Sequence, residues 1–197
     1  MTAAFEPLRT RLLLLCGVPV DWTQTDEEGP PLSSEGLAAA ELAASTLPHF
    51  DTIVASPQRA SQEAAETIRT HRPVPALVRD GLEEIRTASL LTDAEAYDEW
   101  MDRLFESYEN AGDGESLAEG VDRITGTLRA IGDRFYGRSI LVVSHPITLL
   151  AFRSRLIHES ITRDQVDALP DLALAIVDYL EGRYYLVQDF PVRKWIG

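Results

Sequence analysis

Ser139-Ile140-Leu141-Val142-Val143-Ser144-His145-Pro146 decides the architecture. Four apolar residues in a row, three of them β-branched and closed off by serines, read as a strand buried on both faces. Pro146 suits the first turn of a new helix, and Leu149, Leu150, Phe152 and Leu156 follow on a helical face. A strand buried on both faces that feeds a helix is the unit of a parallel sheet sandwiched between helices.

The same grammar repeats upstream. Leu12-Leu13-Leu14-Leu15 ends at Cys16-Gly17 and reads as a second buried strand. Residues 18–31 are loop-like, with Pro19, Gly29, Pro30 and Pro31. Ser33 or Ser34 then caps a helix over about 35–47. Thr52-Ile53-Val54-Ala55 is a third strand, followed by Ser56-Pro57 and a helix over about 59–70. An extended stretch lies near Leu77-Val78, after Pro73 and Pro75. Thr92-Asp93-Ala94-Glu95 has the capping-box pattern, with Thr92 as N-cap. Its helix carries Tyr97, Trp100, Met101, Leu104, Phe105 and Tyr108, aromatics that read as core, and ends at Gly112 and Gly114. A further helix runs over about 116–135, weakened by Gly120, Gly126 and Gly132. Leu172 to Tyr179 and Arg183 to Val187 flank Glu181-Gly182 as a terminal hairpin. The expected fold is a three-layer α/β/α sandwich with a mostly parallel central sheet. It is one domain over 1–197, with a helical acidic lobe at about 88–136.

Composition narrows the function classes. The chain has 197 residues, one cysteine, 18 Lys+Arg and 32 Asp+Glu, for a net charge of -14. Such a charge argues against nucleic acid and anionic membranes as partners. A single cysteine makes no internal disulfide and no Cys-based zinc site. No apolar run is long enough to span a bilayer, and Leu12 to Cys16 is too short for a signal-peptide core, so the expectation is a cytoplasmic protein. The acidity is local: residues 80–122 hold 14 Asp+Glu against Arg86 and Arg103. That reads as a solvated helical lobe, with an acidic docking surface as the sharper alternative.

In α/β sheets, sites form beyond the C-terminal ends of strands and at helix N-termini. Three segments meet that condition: Cys16-Gly17, Ser56-Pro57-Gln58-Arg59 and Ser144-His145-Pro146. Cys16, Arg59 and His145 are therefore expected at one rim, with Glu83 and Glu84 as acid/base candidates. Arg59 opens a helix, where the dipole disfavours a cation, and so points to an anion. His49, His71 and His158 follow no ligand spacing, and no metal or cofactor is expected.

These segments resemble the histidine phosphatase, or phosphoglycerate mutase-like, superfamily. Leu32-Ser33-Ser34-Glu35-Gly36 is similar to its "pLTxxG" element and Ala55 to Ala65 to "sSpxxRaxqTA". Leu82-Glu83-Glu84 resembles "LxE", Gly114-Glu115-Ser116 with Arg123 resembles "GES…R", and Val142 to His145 resembles "vvsH". The five occur in family order over about residues 11–153. The resemblance implies a phosphatase or mutase acting on a small phosphorylated molecule. Phosphate would lie on Arg59, His145 and Gly17, and Glu84 would be the proton donor.

The resemblance breaks at its central motif. The family's first strand ends in Arg-His-Gly, and that His becomes phosphohistidine. Here the triplet is Leu15-Cys16-Gly17, Val18-Pro19 replaces the following Glu-Thr, and Ala88 stands near the Gly of a missing "G-x-w-E-G". Losing an Arg and a His removes two charge-assisted hydrogen bonds of roughly 1.5–3 kcal/mol each. That is about 3–6 kcal/mol of phosphate affinity, at least about a hundredfold. Cys16 is a candidate replacement nucleophile, because nearby cations lower a thiol pKa. Against it, the Cys-x5-Arg pattern of thiolate phosphatases is absent, with Trp22 at the Arg position, and a buried Cys also behaves as a small hydrophobe. Three readings stay open: a non-catalytic member that binds a small anionic or phosphorylated ligand, a phosphatase using Cys16 or water with Glu84 as acid, and another small-molecule enzyme reusing the pocket. A homodimer also stays open.

Overall fold

The computed structural model describes residues 8–87, 91–106 and 114–191. Its centre is a six-stranded sheet in the order β3-β2-β4-β1-β5-β6. The strands are β1 (Thr10–Cys16), β2 (Thr52–Ala55), β3 (Ala76–Val78), β4 (Ser139–Val143), β5 (Ala173–Leu180) and β6 (Arg183–Gln188). β3, β2, β4 and β1 run parallel, while β5 and β6 are antiparallel at one side. The expected mostly parallel sheet is present.

The run Leu12 to Leu15 is buried on both faces because each face meets a helical layer. Leu12, Leu14 and Cys16 join one apolar cluster with side chains of α3 (Ala94–Glu106), α4 (Leu117–Arg134) and α5 (Pro146–Ile157). Leu13 and Leu15 join a second cluster with α1 (Ser34–Thr46) and α2 (Arg59–His71). This alternation is the period-two geometry of a strand between two layers. A short α6 (Arg163–Asp167), capped by Thr162 and Gln165, was not foreseen, since five residues are too few to show a periodicity.

Helix starts follow their caps. The Ser33 hydroxyl accepts from Gly36 N, so Ser33 caps α1. Ser116 and Glu119 cap α4 reciprocally. The cap expected at Thr92 is corrected: α3 begins at Ala94, and Asp93 Oδ1 accepts from Ala96 N at 2.9 Å. A carboxylate beside the helix N-terminus is the stronger acceptor, and the Thr92 hydroxyl donates to Asp93 instead. Gly132 has a packing reason, because a Cβ there would lie 2.4 Å from the Tyr179 ring on β5. Ala88, Tyr108 and Gly112 lie outside the described residues, as do parts of the expected acidic lobe.

Candidate functional site

Register brings the strand ends level. Leu15 and Ala55 both pair with Val143, Ser144 N donates to Leu15 O, and Ser56 N donates to Val143 O. Cys16, Ser56 and Ser144 therefore leave the sheet side by side. The loop bearing Glu84 is pinned over this rim by the Ser144 hydroxyl, which donates to Leu82 O at 2.7 Å. Gln58 Oε1 accepts from Glu84 N at 2.7 Å.

Arg123 holds the same loop from the far side. Its guanidinium donates to the carbonyls of Gly81, Glu83 and Glu84 and to both oxygens of Glu115. The Gly-Glu-Ser…Arg motif is thus a clamp that fixes the Glu84 backbone. Glu83 turns towards Arg123 and Arg86, while the Glu84 carboxylate turns inward.

Glu84 is buried and meets the start of α5. Its oxygens accept from Ile147 N at 3.1 Å, Thr148 N at 2.8 Å, the Thr148 hydroxyl at 2.8 Å and its neighbour Ile85 N at 2.9 Å. Pro146 at the helix start has no N–H to offer. The first free donors of α5, where a helix would hold an anion, therefore carry a protein carboxylate. Burial pushes the Glu84 carboxyl up, and the four donors oppose that.

Cys16 is fully buried in the apolar cluster beneath this carboxylate. Burial and the Glu84 charge both push its thiol far up, so it is protonated at neutral pH. Leu15 packs into the opposite cluster and contributes no donor. Gly17 holds a left-handed φ of 79°, which favours glycine, and its carbonyl accepts from Leu172 N.

His145 precedes α5, and its Nε2 lies 2.8 Å from the Ser56 hydroxyl and 3.2 Å from that of Ser61. Burial first, then the charge of Arg123, lowers its pKa to about 3. The ring is neutral near pH 7, with Nε2 engaged by hydroxyls. Arg59 stands at the first position of α2, as expected, yet two carboxylates hold it: NH1 donates to Asp26 at 2.8 Å and Nε to Glu63 at 2.9 Å. These partners hold its pKa above the usual value. Glu63 was legible as an i,i+4 partner of Arg59, whereas Asp26, 33 residues away, was not. Ser61 and Thr148 were missed as well, since single hydroxyls inside helices carry no sequence signal.

An aromatic row closes the α3 side. Trp22, in the loop after β1, lies 5.3 Å from Tyr97, and Tyr97 lies 5.5 Å from Trp100. Burial and the Glu84 charge raise the Tyr97 phenol. A groove of about 430 Å³ lies elsewhere, between α4 and the end of α5, and none of Cys16, Glu84 or His145 lines it. Among the described residues, no group of three or more His, Cys, Asp or Glu is placed to hold a metal ion. None of their helices is long and apolar enough to cross a membrane.

The fold has clear relatives. Phosphoserine phosphatase from Entamoeba histolytica, solved with 3-phosphoglyceric acid, superposes with a TM-score of 0.73 at 18% identity, covering 94% of this chain and 98% of that one. Phosphoglycerate mutase from Bacillus anthracis gives 0.75 at 15% identity, covering 93% of each chain. Alpha-ribazole phosphatase from Shigella flexneri gives 0.68 at 18%, covering 90% and 95%. No curated protein matches the chain significantly. The family model for the histidine phosphatase superfamily (branch 1) matches residues 19–189, beginning just beyond Leu15-Cys16-Gly17. With most of its length matched by that family model, the chain belongs to the histidine phosphatase superfamily.

Proposed function

We propose that this chain is a single-domain, cytoplasmic member of the superfamily that lacks phosphohistidine catalysis and binds a small anionic or phosphorylated ligand only weakly. The observation that carries this reading is the internal satisfaction of the rim. Arg59 is neutralised by Asp26 and Glu63, the α5 N-terminus by Glu84, and His145 Nε2 faces two hydroxyls. A phosphoryl group would have to displace protein carboxylates to reach Arg59 or the α5 N-terminus, and serine hydroxyls to reach His145 Nε2. Asp26, on an exposed loop, is the one most easily displaced. The relatives solved with phosphorylated ligands support the ligand class.

Attack by Cys16 requires an accessible thiolate, and this thiol is buried and protonated. The test is hydrolysis of p-nitrophenyl phosphate beside calorimetric titration with inorganic phosphate. The expected result is no turnover above blank and affinity no tighter than about millimolar, worth roughly 4 kcal/mol. Turnover abolished by Cys16→Ala would instead establish the thiol phosphatase.

A further inference from the structure

We propose, building on the reading of the rim as a weak anion site, that its ligand is a phosphate monoester whose other end is an organic cation. The phosphate meets Arg59, and the cation rests against the rings of Trp22 and Tyr97. Both residues are half-buried, so each keeps part of its side chain exposed. The ring centroids lie 5.3 Å apart, with the planes tilted by 38°. A cation within about 6 Å of both centroids gains from both π faces. The same loop serves both ends of the ligand, since Trp22 stands four residues before Asp26, the partner of Arg59.

Charge selects a cation for this end. α3, which carries Tyr97, also holds Glu95, Asp98, Glu99, Asp102 and Glu106 against Arg103 alone. Burial, then the charges of Glu84, Asp98 and Asp167, raise the Tyr97 phenol, so the ring lies in a negative field. Arg163 opposes that field, but Asp98 holds it at 3.0 Å, Asp102 at 2.7 Å and Asp167 at 3.2 Å. A second anionic group on the ligand would be repelled here, whereas an ammonium group is attracted.

A ligand of both signs also suits the occupied rim. Asp26 neutralises Arg59 at 2.8 Å, and a bare phosphate that displaces it leaves a carboxylate unpaired. A ligand with its own cation leaves none. Its phosphate takes Arg59, and its cation meets the released Asp26 carboxylate together with the rings. A quaternary ammonium has no N–H to donate, so it matches π faces and a carboxylate better than any hydrogen-bonding partner. A chain of net charge -14 also repels such a ligand less than a free phosphate.

The test is calorimetric titration of the full chain with phosphocholine and with 3,3-dimethylbutyl phosphate, which has the same shape and no positive charge. Phosphocholine is expected to bind about tenfold tighter. Trp22→Leu and Tyr97→Leu should each shrink that preference at least about threefold, and Tyr97→Phe should keep it. Arg59→Ala should weaken both ligands alike. Circular dichroism of each variant checks that the fold is unchanged. Glycerophosphocholine, a diester, is expected to bind more weakly than phosphocholine. Equal affinity for it would overturn the monoester in favour of a lipid headgroup. Tetramethylammonium alone should shift the Trp22 indole N–H resonance, identified by its loss in Trp22→Leu. That shift without binding of either phosphate would overturn the anion site and leave the cation subsite standing. No shift, or equal affinity for the two isosteric phosphates, would overturn the cation subsite.

Discussion

One oxygen of the Glu84 carboxylate accepts from both the backbone N–H and the hydroxyl of Thr148, each at 2.8 Å. A residue expected to face a ligand is thus a cap on the helix that begins at the same rim. This contact ties the loop after β3 to α5. Glu84→Gln keeps the shape but turns an amide donor towards N–H groups, and should cost about 1–3 kcal/mol in urea melts. Thr148→Val should cost about 1 kcal/mol, because the hydroxyl also contacts Glu83 O. Stability unchanged in Glu84→Gln would mean that the carboxylate does not cap α5.

The pairing of Arg59 predicts a gain of function. Asp26→Asn and Glu63→Gln each free one side of the guanidinium. Either should tighten inorganic phosphate binding by about threefold to tenfold, about 0.7–1.4 kcal/mol. The double change should exceed both, and Arg59→Ala should erase the gain. Calorimetry reads each step, and unchanged affinity would show that Arg59 does not face the ligand.

Cys16 should behave as a core side chain. Iodoacetamide at pH 8 should label it only as fast as the protein opens, several orders of magnitude slower than in urea. Cys16→Ala should destabilise the fold by about 1–2 kcal/mol through lost apolar burial. Rapid labelling of the native protein would contradict the buried thiol.

His145 sets an acid limit. Its folded pKa of about 3 lies below the ordinary value of 6.5, so protons bind the unfolded chain preferentially between those values. The stability that the neutral ring contributes is complete above about pH 6.5 and falls as pH drops towards 3. Glu84 works the other way, since its raised pKa favours the fold at lower pH. From pH 7 to pH 5 the His145 contribution should fall by about 1–2 kcal/mol. Denaturant melts of wild type and His145→Gln at both pH values measure it, and an identical pH slope in the two would refute it.

Much of the fold was legible because its signals are local. Leu12 to Leu15 and Ile140 to Val143 lie between two helical layers, and a strand so placed is apolar throughout. Ser33, Pro146 and the Glu181-Gly182 turn mark their boundaries by short-range chemistry. The strand-end rule led to the expectation of Cys16, Arg59 and His145 at one rim, and the strand register sets Cys16, Ser56 and Ser144 side by side. What the rim does with them did not follow from that rule. Asp26 reaches Arg59 across 33 positions, and Ser56 reaches His145 across 89. Pairings at that range are set by loop paths, which leave no periodic trace. Thr92 fits the cap spacing, yet Asp93 holds the role because a carboxylate binds a helix N-terminus more strongly.

The proposed absence of phosphoryl transfer at the rim is open to direct test. The most direct measurement is phosphate release from a panel of small phosphate esters by wild type, Cys16→Ala and the double reversion Leu15→Arg/Cys16→His. Wild type and Cys16→Ala are both expected to be indistinguishable from blank, with any turnover arising only in the reversion. Turnover by wild type that disappears in Cys16→Ala would contradict it.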